Sequence, residues 1–229
     1  MNIDHVHFYV EDAARSRDWF VQTLGFDSVA GGTGRSTQTE VVKSGPVYFV
    51  LSSPRNLFSP VAEFLRLHPP GVVDLAFRVA DVAALIARAI DSQAKILAPV
   101  QTHLGAQGRL RWGQILGWGA LRHTFVERSG ITPLLPFAAE LGLASPLVSQ
   151  HSLADLGTEQ FADLPCCTGI DHVVLNVAAG ELKQAVGWYQ KVLGFQPGHT
   201  FEIRTPRSAL RSEVMVHPEG AAQFPINEP

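Results

Sequence analysis

The stretch IDHVV at Ile170–Val174 nearly repeats the stretch IDHVH at Ile3–His7, and this repetition decides the fold. In each copy a Leu-Gly-Phe triplet follows at a similar distance, at Leu24–Phe26 and at Leu193–Phe195. Self-similarity of this kind within one chain is typical of duplicated supersecondary units. Each copy predicts a strand, then a helix, then a tight turn into another strand.

The first unit carries clear boundary signals for its helix. Asp12 is a good N-cap, and Gly25 follows the apolar periodic residues at the position of a C-cap. The helix is therefore predicted to extend from near Asp12 to Leu24. A strongly apolar segment at Pro46–Ser53 then predicts a strand.

Two further units follow with the same order of elements. In the second unit we predict a strand at Val72–Val79, a helix at Asp81–Ile90 and one or two strands within Trp112–Arg128. In the third unit we predict a strand, a helix and three more strands. Its predicted strands are Ile170–Val177, Phe201–Thr205, Ser212–Val216 and Ala222–Ile226.

The fold class that follows is α+β, built from repeated βαβββ modules. Residues 1–132 are predicted to form an N-terminal domain of two modules, residues 133–168 a linker, and residues 169–229 the first module of an incomplete C-terminal domain. A module of this kind exposes one sheet face until it pairs with another. We expect the third module to leave that face bare, which favours a homo-oligomer.

Composition excludes several classes of function. The 229 residues include 46% hydrophobic and 17% charged residues, with a formal net charge of −3. This balance and the absence of a basic cluster argue against nucleic acid and membrane surfaces as partners. Cys166 and Cys167 are adjacent and predict no disulfide, and the sequence shows no signal peptide, so we expect a reducing, cytoplasmic setting.

Four blocks of the third unit carry a resemblance to a known family. In chain order they are GIDHVVLNV at Gly169–Val177, WYQKVLGF at Trp188–Phe195, SALRSEVM at Ser208–Met215 and FPINEP at Phe224–Pro229. Together they resemble the 4-hydroxyphenylpyruvate dioxygenases of the vicinal-oxygen-chelate superfamily. The first two units resemble the more degenerate N-terminal domain of the same enzymes.

The resemblance implies an Fe(II)-dependent enzyme that converts 4-hydroxyphenylpyruvate and O2 to homogentisate and CO2. It places the first iron-binding histidine at His172 and polar substrate contacts at Ser212 and Asn227. Val174 lies two residues from His172 on the same strand face and is expected to line the pocket. The second histidine and the glutamate that complete the iron site are expected beyond Pro229, so the sequence resembles a C-terminally truncated member of the family.

Other interpretations stay open at this point. Hydroxymandelate synthase resembles this family in fold, iron and substrate, but it oxidises the benzylic carbon. A non-catalytic protein of the same fold would instead use the first two units as a cup for a small ligand. His5, Asp74 and Glu127 occupy strands of those two units and form a formal metal-ligand set, although the family's N-terminal domain carries no iron.

Overall fold

The computed structural model describes residues 1–133, 135–136, 148–149 and 167–229, with residues 148–149 described in backbone only. The fold is α+β, as predicted. The helices are α1 (Ala13–Leu24), α2 (Pro60–Leu67), α3 (Val82–Asp91) and α4 (Leu182–Leu193). The strands are β1 (Asn2–Tyr9), β2 (Asp27–Thr33), β3 (Thr37–Ser44), β4 (Val47–Pro54), β5 (Gly71–Arg78), β6 (Ile96–Gly105), β7 (Gly108–Leu116), β8 (Arg122–Gly130), β9 (Thr132–Pro133), β10 (Val148–Ser149), β11 (Leu175–Asn176), β12 (Gln196–Arg204), β13 (Ala209–Val216) and β14 (Gln223–Glu228). Within the described ranges, no helix is long and apolar enough to span a membrane.

The first two units share one eight-stranded sheet. Its strand order is β2-β3-β4-β1-β5-β8-β7-β6. β1 pairs in parallel with β4 of its own unit and antiparallel with β5 of the second unit. β5 pairs in parallel with β8, so the second unit repeats the pattern of the first. The β1–β5 pairing therefore joins the two units into one continuous layer.

The predicted helix caps are confirmed. The carboxylate of Asp12 accepts a hydrogen bond from the Arg15 main-chain N–H at 3.0 Å, and Gly25 ends α1 with φ 69°. Gly194 ends α4 in the same left-handed conformation, with φ 79°. Glycine adopts this conformation without the steric cost that a Cβ adds, which explains why both copies carry a Leu-Gly-Phe triplet.

The eight-stranded sheet has two different faces. α1 covers one face of the first unit with an apolar cluster that includes Ala13, Phe26 and Leu51. On the opposite, concave face lie polar side chains such as Thr39 and Ser52, whose hydroxyl groups are 2.8 Å apart. α1 and α3 thus cover the convex side of the sheet. α2 packs on the concave side against Tyr9 and Val73, next to its polar side chains.

The third unit forms a separate four-stranded sheet in the order β11-β14-β13-β12. α4 packs between this sheet and the convex side of the second unit, where it contacts α3. One apolar cluster runs through the contact and contains Phe77, Phe125, Tyr189, Phe195 and Phe224. The third unit therefore packs on the second through its helix side, and burying α4 against α3 removes apolar surface from water. That its sheet face stays bare remains a prediction.

Two sequence-based assignments need correction. The strand expected at Ile170–Val177 is reduced to the two residues of β11 and an isolated bridge between His172 and Gln223, because the segment has only β14 as a neighbour. The second unit has three strands after α3, where one or two were predicted. β6 was missed because it has no run of buried apolar residues: its first six residues alternate between half-buried and exposed, and its last four are all exposed.

The predicted division of the chain at residues 132 and 168 stays a prediction. Most of the predicted linker, together with Cys166, lies outside the described residues. Cys167 is exposed, and its main-chain N–H donates to the Ser44 hydroxyl at 3.1 Å.

Candidate functional site

The uncovered face of the four-stranded sheet gathers the site residues expected from the sequence. Ser212 is the direct cross-strand partner of Asn227, and Asn227 is in turn paired with Asn176. Cross-strand partners project from the same side of a sheet, and side chains alternate along each strand. His172, Val174 and Asn176 therefore lie on one side of their segment, the side that Ser212 and Asn227 share.

Burial agrees with this assignment. Val173, Leu175 and Val177 point the other way and pack into the apolar cluster below the sheet. His172 and Val174, by contrast, are exposed. The alternation is therefore real in this segment, although few of its residues form a regular strand.

The His172 ring is oriented by its neighbour in the chain. Its Nδ1 lies 2.7 Å from the Asp171 carboxylate. Because a carboxylate only accepts, Nδ1 donates this hydrogen bond, and Nε2 is the ring nitrogen that remains for coordination. The side chain is 48% exposed, so Nε2 is accessible for coordination. A carboxylate that fixes the other ring nitrogen is the usual support of a metal-binding histidine.

Asn227 carries an unsatisfied polar atom. Its side-chain Oδ1 is buried and has no hydrogen-bond partner among the described residues. Such atoms are rare, and leaving one unpaired costs about 1–3 kcal/mol, so each calls for a specific reason. Its neighbour Ser212 is 7% exposed and offers a hydroxyl that donates or accepts. The pair thus presents a hydroxyl and an amide oxygen side by side on this face.

Apolar side chains surround these polar groups. Phe201 is the cross-strand partner of Ser212 and is 52% exposed, and Ile203 on the same strand is 56% exposed. Val174 is 42% exposed. A face that combines exposed apolar side chains with a few oriented polar groups has the character of half a small-molecule site.

This face does not by itself complete an iron site. A non-haem Fe(II) centre of the two-histidine, one-carboxylate kind needs three ligands on one side of the metal. In the parts of the chain that the structure describes, no three His, Cys, Asp or Glu side chains are grouped closely enough to hold a metal ion. His172 is thus one candidate ligand, and the described residues supply no complete set.

The alternative set in the N-terminal domain is excluded by its contacts. His5 is bonded through Nδ1 to Asp4, whose carboxylate also binds Arg128 at 2.5 Å. Asp74 accepts from Thr124 and Gln114, and Glu127 accepts from Arg111 and the Val82 N–H. These contacts hold each side chain in place within the domain, away from a common metal.

Asp4, which holds His5 of this excluded set, has a shifted pKa. Burial alone would raise the pKa of Asp4, but the hydrogen bond from His5 and the charges of Arg128 and Arg78 together outweigh burial and lower this pKa to about 2. Asp4 is therefore a structural carboxylate that stays charged.

Sequence reasoning missed two members of the uncovered face. Asn176 continues the alternation of His172 and Val174, so the same rule extended by two residues would have found it. Phe201 reaches the site only through its pairing with Ser212, and this register is not encoded in any local pattern.

Comparison with known proteins places the chain in a family. Residues 1–130 match the sequence profile described as hydroxyphenylpyruvate dioxygenase, HPPD, N-terminal. The chain belongs to this family. The match covers the two modules that form the eight-stranded sheet, and the resemblance in the third unit extends beyond it.

Curated relatives of the hydroxyphenylpyruvate dioxygenase family match almost the whole chain. The 4-hydroxyphenylpyruvate dioxygenase of Coccidioides posadasii is 31% identical over 249 residues, covering 99% of this chain and 59% of the relative. That of Caenorhabditis elegans is 30% identical over 238 residues, covering 99% of this chain and 57% of the relative. The chain thus spans less than two thirds of the length of the relatives that it matches.

Solved structures support the fold. A mutant of 4-hydroxymandelate synthase from Streptomyces coelicolor superimposes with a TM-score of 0.76 at 22% identity, covering all of this chain and 62% of the other. A xylose isomerase-like TIM barrel/4-hydroxyphenylpyruvate dioxygenase fusion protein gives a TM-score of 0.68 at 18% identity, covering 99% of this chain and 32% of the other. At these identities the likeness concerns the fold, and it confirms the vicinal-oxygen-chelate architecture predicted from the repeated modules.

Proposed function

We propose that this chain contributes the substrate-facing sheet of an Fe(II)-dependent dioxygenase that converts 4-hydroxyphenylpyruvate and O2 to homogentisate and CO2. The observation that carries the proposal is the uncovered face of the β11–β14 sheet. There His172, Ser212 and Asn227 share one side, in a chain of the hydroxyphenylpyruvate dioxygenase family. In this proposal Fe(II) supplies the oxygen chemistry, and the protein orients the aromatic 2-oxo acid.

Each residue has a distinct role in the proposal. His172 offers Nε2 as one iron ligand, with Asp171 holding the ring. The unpaired Oδ1 of Asn227 accepts a hydrogen bond, which suits the phenol hydroxyl of the substrate, and Ser212 adds a second polar contact. Val174 and Phe201 offer apolar contact to the substrate ring. The two remaining iron ligands have to come from outside the described residues.

A turnover assay with a matched control tests the proposal. The chain is incubated with Fe(II), 4-hydroxyphenylpyruvate and O2, and the products are separated and identified. If these 229 residues, alone or as two copies together, supply the remaining ligands, the unchanged chain forms homogentisate. His172→Ala then forms none, and His199→Ala, at a histidine that is likewise exposed, keeps its turnover. Turnover that survives in His172→Ala would refute the ligand role. A 4-hydroxymandelate product would refute the proposed reaction, and absence of any product would show that these 229 residues do not carry the activity.

A binding measurement separates the pocket from the chemistry. Titration with 4-hydroxyphenylpyruvate is followed by two-dimensional NMR under anaerobic conditions. We expect the largest shifts at Asn176, Ser212 and Asn227. The bare face also supports the prediction of a homo-oligomer, and analytical ultracentrifugation would measure the oligomeric state. The cytoplasmic location stays a prediction.

A further inference from the structure

A cavity of about 530 Å³ lies on the concave face of the eight-stranded sheet. This volume lies within the range of small-molecule sites. Its lining residues belong to the eight-stranded sheet, whereas the uncovered face belongs to the β11–β14 sheet. The proposed reaction does not use this cavity. Its principal polar and aromatic lining residues are His7, Tyr9, Asp74, Trp112, Gln114 and Arg122. We call it the concave cavity.

Most polar groups of the concave cavity are already paired. Asp74 Oδ1 accepts from the Thr124 main-chain N–H at 3.0 Å, and Oδ2 accepts from the Thr124 hydroxyl at 2.5 Å and from Gln114 Nε2 at 2.8 Å. His7 Nε2 lies 2.9 Å from the Ser52 hydroxyl. Burial, with the charges of His5 and Arg122, lowers the pKa of His7 to about 3, so this imidazole is neutral at pH 7.

Arg122 differs from these groups. It is the register partner of Asp74. Among the residues that the structure describes, however, no carboxylate oxygen lies within 4.0 Å of its guanidinium, the distance of an ion pair. Its guanidinium lies 6.0 Å from the centre of the Tyr9 ring and hydrogen-bonds the Tyr9 hydroxyl, which is a neutral partner and not an anion. Because both Asp74 oxygens take donors from Thr124 and Gln114, the cavity holds a guanidinium without a bonded anion.

We propose that the concave cavity binds a small organic carboxylate through Arg122. A guanidinium binds a carboxylate with two parallel hydrogen bonds, which fixes both its charge and its orientation. The apolar body of the ligand lies against Trp112 and Pro99 on the neighbouring strands, where both residues line the cavity. The fixed Asp74 carboxylate lies beside the site and disfavours ligands with a second negative charge nearby. This binding is independent of the dioxygenase reaction proposed above.

The test compares phenylacetate with phenylacetamide, which has nearly the same shape and no charge. The chain is titrated with each compound at millimolar concentration, and binding is followed by NMR amide shifts. We expect phenylacetate to shift residues around Gln114 and Arg122, and the amide to bind at least about tenfold more weakly. Arg122→Gln should weaken phenylacetate by about tenfold or more, and Arg122→Lys by less.

Matched variants keep the result interpretable. Arg35→Gln removes an exposed arginine at the tip of the β2–β3 hairpin and should leave binding unchanged. His172→Ala should also leave it unchanged, which separates this site from the proposed iron site. If Arg122→Gln does not fold, Ala98→Phe fills the cavity from its wall and should abolish binding. Equal binding of the acid and the amide, shifts confined to β11–β14, unchanged binding in the folded variants, or no binding of phenylacetate would each overturn the proposal.

Discussion

A buried hydrogen bond between His123 and Tyr189 links the eight-stranded sheet to the third unit, and replacing Tyr189 with Phe tests its contribution. His123 Nδ1 lies 3.2 Å from the Leu75 carbonyl, so this nitrogen carries the proton and Nε2 is the acceptor. The Tyr189 hydroxyl, 3.0 Å from Nε2, therefore donates to it. The same hydroxyl accepts from the Trp118 main-chain N–H. Both His123 and Tyr189 are fully buried.

Tyr189→Phe keeps the ring and removes both bonds. It leaves the acceptor of His123 and the donor of Trp118 without partners, at a cost of about 1–3 kcal/mol for such groups. We expect the free energy of unfolding to fall by about 2 kcal/mol, which for a chain of this size lowers Tm by about 4–8 °C. Urea denaturation followed by circular dichroism measures the first quantity, and calorimetry measures the second.

Two further variants make the result decisive. Tyr48→Phe changes a half-buried tyrosine on the first sheet and should cost less than about 0.5 kcal/mol. The double variant His123→Leu, Tyr189→Phe should lose less free energy of unfolding than the two single variants together, because each single change leaves the other residue's polar group unpaired and the double change removes both groups. A Tyr189→Phe protein as stable as Tyr48→Phe, or strictly additive single changes, would refute the reasoning.

Three other outcomes are expected. Burial lowers the pKa of His123 from 6.5 to about 4, so between these pH values the unfolded chain binds a proton that the folded chain does not. The free energy of unfolding should therefore fall by about 2–3 kcal/mol as pH drops from 6.5 to 4, and by less in His123→Leu. A free energy of unfolding that does not change with pH in urea melts would contradict this. Gly130→Ala should cost about 1–3 kcal/mol because φ is 74° and a Cβ meets the Gln107 carbonyl, whereas Gly169→Ala, with open space around it, should be near neutral in the same melts. Asn227→Val should raise the free energy of unfolding by about 1 kcal/mol, because it removes a buried oxygen that has no partner among the described residues. If the free energy of unfolding instead falls by about 1 kcal/mol or more, this oxygen has a partner.

The repeated motif allowed much of the fold to be predicted. Asp12, Gly25 and Gly194 are local signals, because a cap depends on only a few neighbouring residues. The strand alternation likewise predicted that His172 and Val174 share a face. These features follow from chemistry within one turn or one strand, so the sequence contains them directly.

Features that depend on distant residues could not be predicted. The packing of α4 on α3 brings together parts of the chain about a hundred residues apart, as the bond from the Arg88 guanidinium to the Gln190 carbonyl at 3.0 Å shows. The concave cavity likewise depends on five strands meeting in register, and Arg122 carries no motif that marks it. The register that adds Phe201 to the uncovered face is of the same kind.

The central position of β1 has a consequence for synthesis. This strand is synthesised before both of its neighbours in the sheet, which are residues 47–54 and 71–78. At ordinary translation rates the emerging segment waits roughly 4–14 seconds before the second neighbour has been synthesised. During that time the unpaired main-chain groups of Asn2–Tyr9 can hydrogen-bond to other nascent chains. Folding on the ribosome is therefore expected to depend on protection of this segment, and a slowed stretch of translation before residue 71 should favour aggregation.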